Sequence, residues 1–116
     1  MQDRLARISE KAINFRDKRD WKQFHDPKNL AEAISIESGE LLEQFLWMST
    51  AESVVPESKK LGEIKEEIAD IMIFIIYICD ALNIDLPSAV EAKIKVNGKK
   101  YPVDKAKGTR KKYKEF

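Results

Sequence analysis

The 116 residues are 43% hydrophobic and 35% charged, with four Gly and four Pro. That composition fits one small globular domain and argues against disorder and against a strand-and-turn architecture. Lys+Arg 21 against Asp+Glu 20 leave a formal charge of +1, so total charge names no partner. A single Cys, Cys79, excludes an intramolecular disulfide framework and fits a reducing compartment. The opening "MQDRLARISEK" has no apolar signal core, and the longest apolar run, Ile71 to Cys79, is too short to span a bilayer. A soluble cytoplasmic chain with no membrane partner is the expectation.

Leu5, Ile8, Ala12 and Phe15 recur at helical spacing and predict a first helix over residues 3–18. "RDWKQFHDPKN" breaks that period. Asp26-Pro27 then reads as an N-cap followed by Pro at the first helical position, opening a second helix that runs to about Met48. "STAESVVPES" reads as a loop. A third helix is expected from Ser58 to Leu82, with its second half so apolar that it should be buried on most sides. Asp85-Leu86-Pro87 starts a fourth helix. Its end is placed near Asn97-Gly98, where Gly suits a left-handed terminal residue. Residues 1–104 would form the domain, an all-α bundle of four helices, and residues 105–116 an irregular basic tail. The charge divides accordingly: residues 93–116 hold ten Lys/Arg and two Asp/Glu, a net of +8, and residues 1–92 carry a net of −7.

The second helix carries "IESGEL" at its centre. Glu37 and Glu40 lie three apart, hence on one face one turn apart. "EEIAD" repeats the spacing with Glu67 and Asp70, and Glu63 and Glu66 lie one turn earlier. Carboxylates three apart are common on solvated faces. Here each pair sits among apolar residues: Ile34, Ile36 and Leu41 around the first, Ile68, Ile71 and Met72 around the second. Inside a bundle two such pairs repel and need a cation between them. No Lys or Arg lies within Ile34–Trp47, so a metal ion is the simplest counter-charge, and all-oxygen ligands suit Mg²⁺ or Mn²⁺. A di-iron bundle would need Glu-x-x-His on two helices, whereas the one His, His25, lies in a loop and reads as satisfying a loop hydrogen bond. A mid-helix Gly39 costs roughly 1 kcal/mol against Ala, and close approach by a helix or a ligand would explain it.

Together "RDWKQFHDPKNLAEAISIESGELLEQFLW", "EEIADIMIFIIY" and "KVNGKKYPVDKAKGTRKKY" resemble the all-α nucleoside triphosphate pyrophosphohydrolases of the MazG-like superfamily, closest to its dCTP pyrophosphatase branch. The resemblance covers roughly residues 12–114. It implies Mg²⁺-dependent hydrolysis of a (d)NTP to (d)NMP and pyrophosphate, a role in sanitising the nucleotide pool, and a homodimer or homotetramer. The apolar surface of the third helix also exceeds what one small monomer readily buries. Carried over, the metal ligands are Glu37, Glu40, Glu67 and Asp70, and the proton acceptor is Glu40 or Glu66. Lys93, Asn97, Lys100 and Tyr101 match the phosphate- and sugar-contacting region, and Trp21 and Trp47 match the base-pocket aromatics. Two positions depart from the dCTP branch. Ala12 stands where that branch tends to have His, and Phe74 where it often has Tyr, which could relax selectivity for deoxyribose or base. The alternative reading is a non-catalytic helical module that binds nucleic acid or an acidic partner through the basic segment.

Overall fold

The computed structural model describes residues 3–116. Among them six α-helices and no strand are found: α1 (Arg4–Lys18), α2 (Pro27–Glu43), α3 (Thr50–Ser53), α4 (Ser58–Ala81), α5 (Leu86–Lys100) and α6 (Val103–Ala106). The chain divides into two compact units, Met1–Asn83 and Ile84–Phe116. The all-α class is as expected; two short helices, α3 and α6, accompany the four long ones, and α5 belongs to the second unit.

The start signals work as their chemistry requires. Asp3 Oδ1 accepts from the Ala6 N–H at 2.8 Å, Asp26 Oδ1 from the Asn29 N–H at 2.9 Å, and Asp85 Oδ2 from the Ser88 N–H at 3.2 Å. Each satisfies one of the amides that a helix leaves free at its first turn. Pro27 and Pro87 sit where a missing N–H costs nothing. The predicted loop after Met48 contains α3, because Ser49 and Glu52 form a reciprocal capping box.

The helix ends differ more from expectation. α2 stops at Glu43, and the amides of Gln44, Phe45, Leu46 and Met48 bond three residues back, tightening the chain into turns instead of continuing the helix to Met48. α5 runs through Gly98 to Lys100, where the Tyr101 N–H bonds the Asn97 carbonyl. Left-handed backbone occurs instead at Asp20 (φ 54°) and Asn83 (φ 55°), each just past a helix C-cap, and at Gly108 (φ 77°). Short polar side chains tolerate that conformation. Of residues 105–116, the first two end α6 and Tyr113–Glu115 form a last 3₁₀ turn, and Tyr101 meets the rings of Tyr113 and Phe116 edge-on, both at 5.9 Å.

In the first unit α4 packs against α2 and α1. The core is Leu30, Ala12, Ile76 and Tyr77, flanked by Ile13, Met72, Ile73, Phe74 and Ile78. Burying Leu30 and Ile76 contributes about 1.5–3 kcal/mol each. Contrary to expectation the apolar half of α4 is buried only at Ile76 and Tyr77; Ile71 to Ile75 are half-buried, since two neighbouring helices cover only part of its circumference.

Among the described residues one charge lies inside. Arg16 is 2% exposed, donates from Nη1 to Asp80 Oδ2 at 2.9 Å, and pairs with Asp17 Oδ1 at 2.9 Å. Its guanidinium also stands 5.4 Å from the Tyr77 ring centroid, and the Tyr77 hydroxyl donates to the Ala12 carbonyl at 2.9 Å. These links advance in the same direction along both helices, so α1 and α4 run parallel. Glu37 beside Glu67, and Lys60 Nζ donating to Gln44 Oε1 at 3.1 Å, set α2 antiparallel to α4.

Removing either anchor should loosen α1. Asp80→Ala leaves the buried guanidinium with one partner and is expected to cost about 2 kcal/mol. Tyr77→Phe should cost about 1 kcal/mol. Both are read as a lower urea midpoint at unchanged slope. An Asp80→Ala midpoint equal to wild type would refute the anchoring role.

Candidate metal and substrate site

α2 and α4 bring the two acidic motifs together. Glu37, Glu67 and Asp70 each offer one carboxylate oxygen, and the three atoms lie within 4.8 Å of one another. Glu37 and Glu67 are half-buried and Asp70 is exposed. Oε2 of Glu37 and Oε2 of Glu67 are buried without a hydrogen-bond partner. Such orphaned acceptors are costly and call for a donor or a cation.

The groups acting on this cluster are acids. Burial pushes the Glu37 carboxyl up to about 7, helped by the neighbouring carboxyls of Glu67 and Glu40 and the charge of Asp70. For Glu67 the contact with Glu37 lowers the pKa, but burial and the nearby Glu40 and Asp70 outweigh it and raise it. Glu40 therefore belongs to the electrostatic neighbourhood, although it is exposed and stands outside the tight trio. Glu66 is exposed and is not among the groups acting on Glu37 or Glu67.

The trio fits a hard divalent cation. Its donors are all oxygen, the preference of Mg²⁺ and Mn²⁺. Ligands of one ion at about 2.1 Å stand at most about 4.2 Å apart, so the observed spacing is within a side-chain adjustment of a shared ion. Gly39 does not create this closeness. A Cβ built there meets nothing within 4 Å, so among the described residues no neighbouring helix makes a close approach to it.

Beside the trio lies a cavity of about 520 Å³. Its wall is aromatic and apolar, formed by Ala12 and Phe15 of α1, Phe74 and Tyr77 of α4, and Trp21 and His25 between α1 and α2. Its other polar side chains are Lys11 and Asp70, so this space adjoins the acidic cluster. Trp21 meets Phe15 edge-on at 5.8 Å. Both departures from the dCTP-branch pattern, Ala12 and Phe74, line it. Trp47 does not: it is 93% exposed.

Lys93, Asn97, Lys100 and Tyr101 belong to the second unit. Lys93 and Asn97 are exposed; Lys100 and Tyr101 are half-buried, with Lys100 Nζ 4.9 Å from the Tyr113 ring. A separate cavity of about 400 Å³ in this unit is lined by Lys99, Lys100, Lys105, Tyr113 and Phe116.

Sequence reasoning passed over three contributors. His25, read as a satisfied loop residue, has a buried Nδ1 without a partner and lines the cavity. Arg16 and Tyr77 form the clamp behind it. The available signal was Arg16, a charge one turn beyond Ala12 beside the apolar stripe of α1, matched by Tyr77 and Asp80 three apart on α4.

Fold and cluster define a helical protein with an acidic centre built by two helices, and the chain belongs to the MazG-like family, whose model matches residues 33–116. Among known proteins it is 39% identical to dCTP pyrophosphatase 1 of Rattus norvegicus over 101 residues, covering 85% of this chain and 59% of that protein. It is 36% identical to dCTP pyrophosphatase 1 of Homo sapiens over 105 residues, covering 88% and 61%. The chain thus spans about three fifths of the length of these relatives. A crystal structure of a pyrophosphatase from Archaeoglobus fulgidus superimposes with a TM-score of 0.82 at 40% identity, covering 88% of this chain and 95% of that one.

The Glu37 carboxyl binds its proton more tightly folded than unfolded. Its contribution to stability is therefore full below about pH 4.5 and is lost as pH rises through about 7. In chelator, the melting temperature should fall over that window. Glu37→Gln should flatten the fall, and Mg²⁺ or Mn²⁺ should raise the neutral-pH value by mass action. A flat wild-type profile in chelator would contradict the convergence of these carboxyls.

Proposed function

We propose that this protein is a Mg²⁺-dependent nucleoside triphosphate pyrophosphohydrolase acting on pyrimidine deoxynucleotides of the dCTP type. The observation that carries this reading is the convergence of Glu37, Glu67 and Asp70, with two orphaned buried oxygens, beside an aromatic cavity. The relatives named dCTP pyrophosphatase 1 support the substrate class.

Glu37, Glu67 and Asp70, with Glu40 beside them, would hold Mg²⁺, and Mn²⁺ is the natural substitute. When bound, the ion neutralises phosphate oxygens, orients the substrate and lowers the pKa of water. The protein's own groups do the rest. A carboxylate, Glu40 in preference to the more remote Glu66, accepts a proton as water oxygen bonds to the α-phosphorus. The bond to the bridging oxygen then breaks, and pyrophosphate leaves. Trp21 offers a flat face to the base; the role of Trp47 rests on the family pattern. Lys93, Asn97, Lys100 and Tyr101 carry the donors that triphosphate oxygens and sugar hydroxyls need, and their assignment rests on the same pattern. The site would work in a reducing cytoplasm, where Cys79 remains a thiol.

We propose self-association as well, since Ile36, Leu42, Leu46 and Ile68 on or next to α2 and α4 are all more than half exposed. Light scattering should give a dimer or tetramer mass, and Ile68→Glu should lower it. A monomeric wild type at micromolar concentration would end that proposal.

The enzymatic test measures monophosphate and pyrophosphate from a panel led by dCTP, 5-modified dCTP and dUTP with Mg²⁺. Turnover of a pyrimidine deoxynucleotide is expected. Glu37→Gln and Asp70→Asn should each lose at least ~100-fold, more than a group that merely supports a ligand. No turnover of any nucleotide, modified bases included, refutes the reading.

A further inference from the structure

We propose that Lys11 binds the phosphate joined to the sugar, the α-phosphate, where the first-unit cavity adjoins the acidic centre. This names a further substrate-binding residue for the pyrophosphohydrolase reading above and rests on that reading.

Among the described residues that line the cavity, Lys11 of α1 and Asp70 of α4 are the charged ones. His25 adds no charge at neutral pH, because burial and the positive charge of Arg16 push its pKa down. Lys11 is thus the cation of this wall. An ammonium donates hydrogen bonds and accepts none, so its natural partner is an anion.

The described residues supply no such partner. Their ion pairs join Arg16 to Asp17 and Asp80, Lys28 to Glu32 and Lys60 to Glu63, and Lys11 takes part in none. Its neighbours one helical turn away are Arg7, Ile8, Asn14 and Phe15, none of them acidic. Asp70 lines the same cavity yet does not pair with Lys11. Oε2 of Glu37 and Oε2 of Glu67 are also without a partner. The fold therefore keeps its cation and its carboxylates apart. A metal-bound phosphate between them sets charges in alternating order: carboxylates, metal, phosphate, ammonium.

The direction of the side chain agrees. α1 and α4 run parallel, and helical side chains lean toward the N-terminus of their own helix. The Tyr77 hydroxyl meets the Ala12 carbonyl, and Asp70 precedes Tyr77 by about two turns of α4. The stem of Lys11 therefore leans from the aromatic end of the cavity toward the acidic end. The α-phosphate is tied to the sugar, so of the three phosphates it stays nearest to a nucleoside held in the cavity.

The test measures the affinities of deoxycytidine, thymidine and their 5′-monophosphates by calorimetry with Mg²⁺. A monophosphate carries only the α-phosphate and no anhydride, so the readout needs no turnover. The proteins are the wild-type chain, Lys11→Met, Lys11→Arg and Arg7→Met. Lys11→Met should weaken the monophosphates about tenfold, the worth of one charge-assisted hydrogen bond, and the nucleosides by less than about twofold. Lys11→Arg should keep most of the wild-type preference for the monophosphate. Arg7 is exposed, one turn away and outside the cavity wall, so Arg7→Met reports the general field alone. It should change either affinity by less than about twofold. An unchanged monophosphate affinity in Lys11→Met overturns the proposal. So does an equal loss for nucleoside and monophosphate, an equal loss in Arg7→Met, or no binding of either ligand. Lys11 is exposed, so its variants are expected to fold; Lys11→Gln replaces a Met variant that does not.

Turnover of dCTP is measured on the same proteins. A monophosphate preference lost in Lys11→Met supports the contact even if no triphosphate is hydrolysed, a failure that would sink only the pyrophosphohydrolase reading. Fast hydrolysis with an unchanged preference sinks only the contact.

Discussion

The buried guanidinium of Arg16 holds the first unit in register. A cation at 2% exposure is tolerated only where its donors are matched, and Asp80, Asp17 and the face of Tyr77 match them. Because Asp80 and Tyr77 both belong to α4, the pair fixes the position of α1 along that helix as well as its side. Ala12 and Phe15 then face the cavity on one wall, with Phe74 and Tyr77 on the other. An apolar contact would permit sliding. A buried charge with named partners does not.

The acidic centre follows the opposite logic. Arg16 is satisfied within the chain, whereas Glu37 and Glu67 are brought together among acids, and burial, helped by the neighbouring carboxyls of Glu67 and Glu40, raises the pKa of Glu37 to about 7. Packing of α2 on α4 enforces this, since the same contact that covers Leu30 and Ile76 places the acidic pairs together. The fold thus holds the carboxyls in a state that a bound proton or cation relieves. Local strain of this kind is a common signature of sites built for a ligand.

Much of this was legible from residue spacing. Asp26-Pro27, Asp85-Leu86-Pro87 and the long apolar half of the third helix are local signals, and α2 and α5 begin where the first two indicate. The acidic pairs were also legible, because a three-residue spacing on a helix implies a shared face whatever packs against it. Helix ends were harder. The left-handed positions went to Asp20 and Asn83 instead of Gly98, and the second helix ended at Glu43 as the backbone tightened into short-range turns. Of the two approaches Gly39 suggested, by a helix or by a ligand, the described residues supply no helix: a side chain there meets none of them within 4 Å.

The sequence by itself determined the helical class, the helix starts and the two carboxylate motifs, because these depend on contacts within a few residues. Only the tertiary structure decided that Glu37, Glu67 and Asp70 converge while Glu66 stays apart, that Trp21 lines the cavity while Trp47 stands in solvent, and that His25 joins that wall. Those outcomes rest on how α1 and α2 are set against α4. The setting of α1 comes from long-range pairs, Arg16 with Asp80 and Tyr77 with Ala12, whose members lie more than sixty residues apart, and that of α2 from its packing along α4.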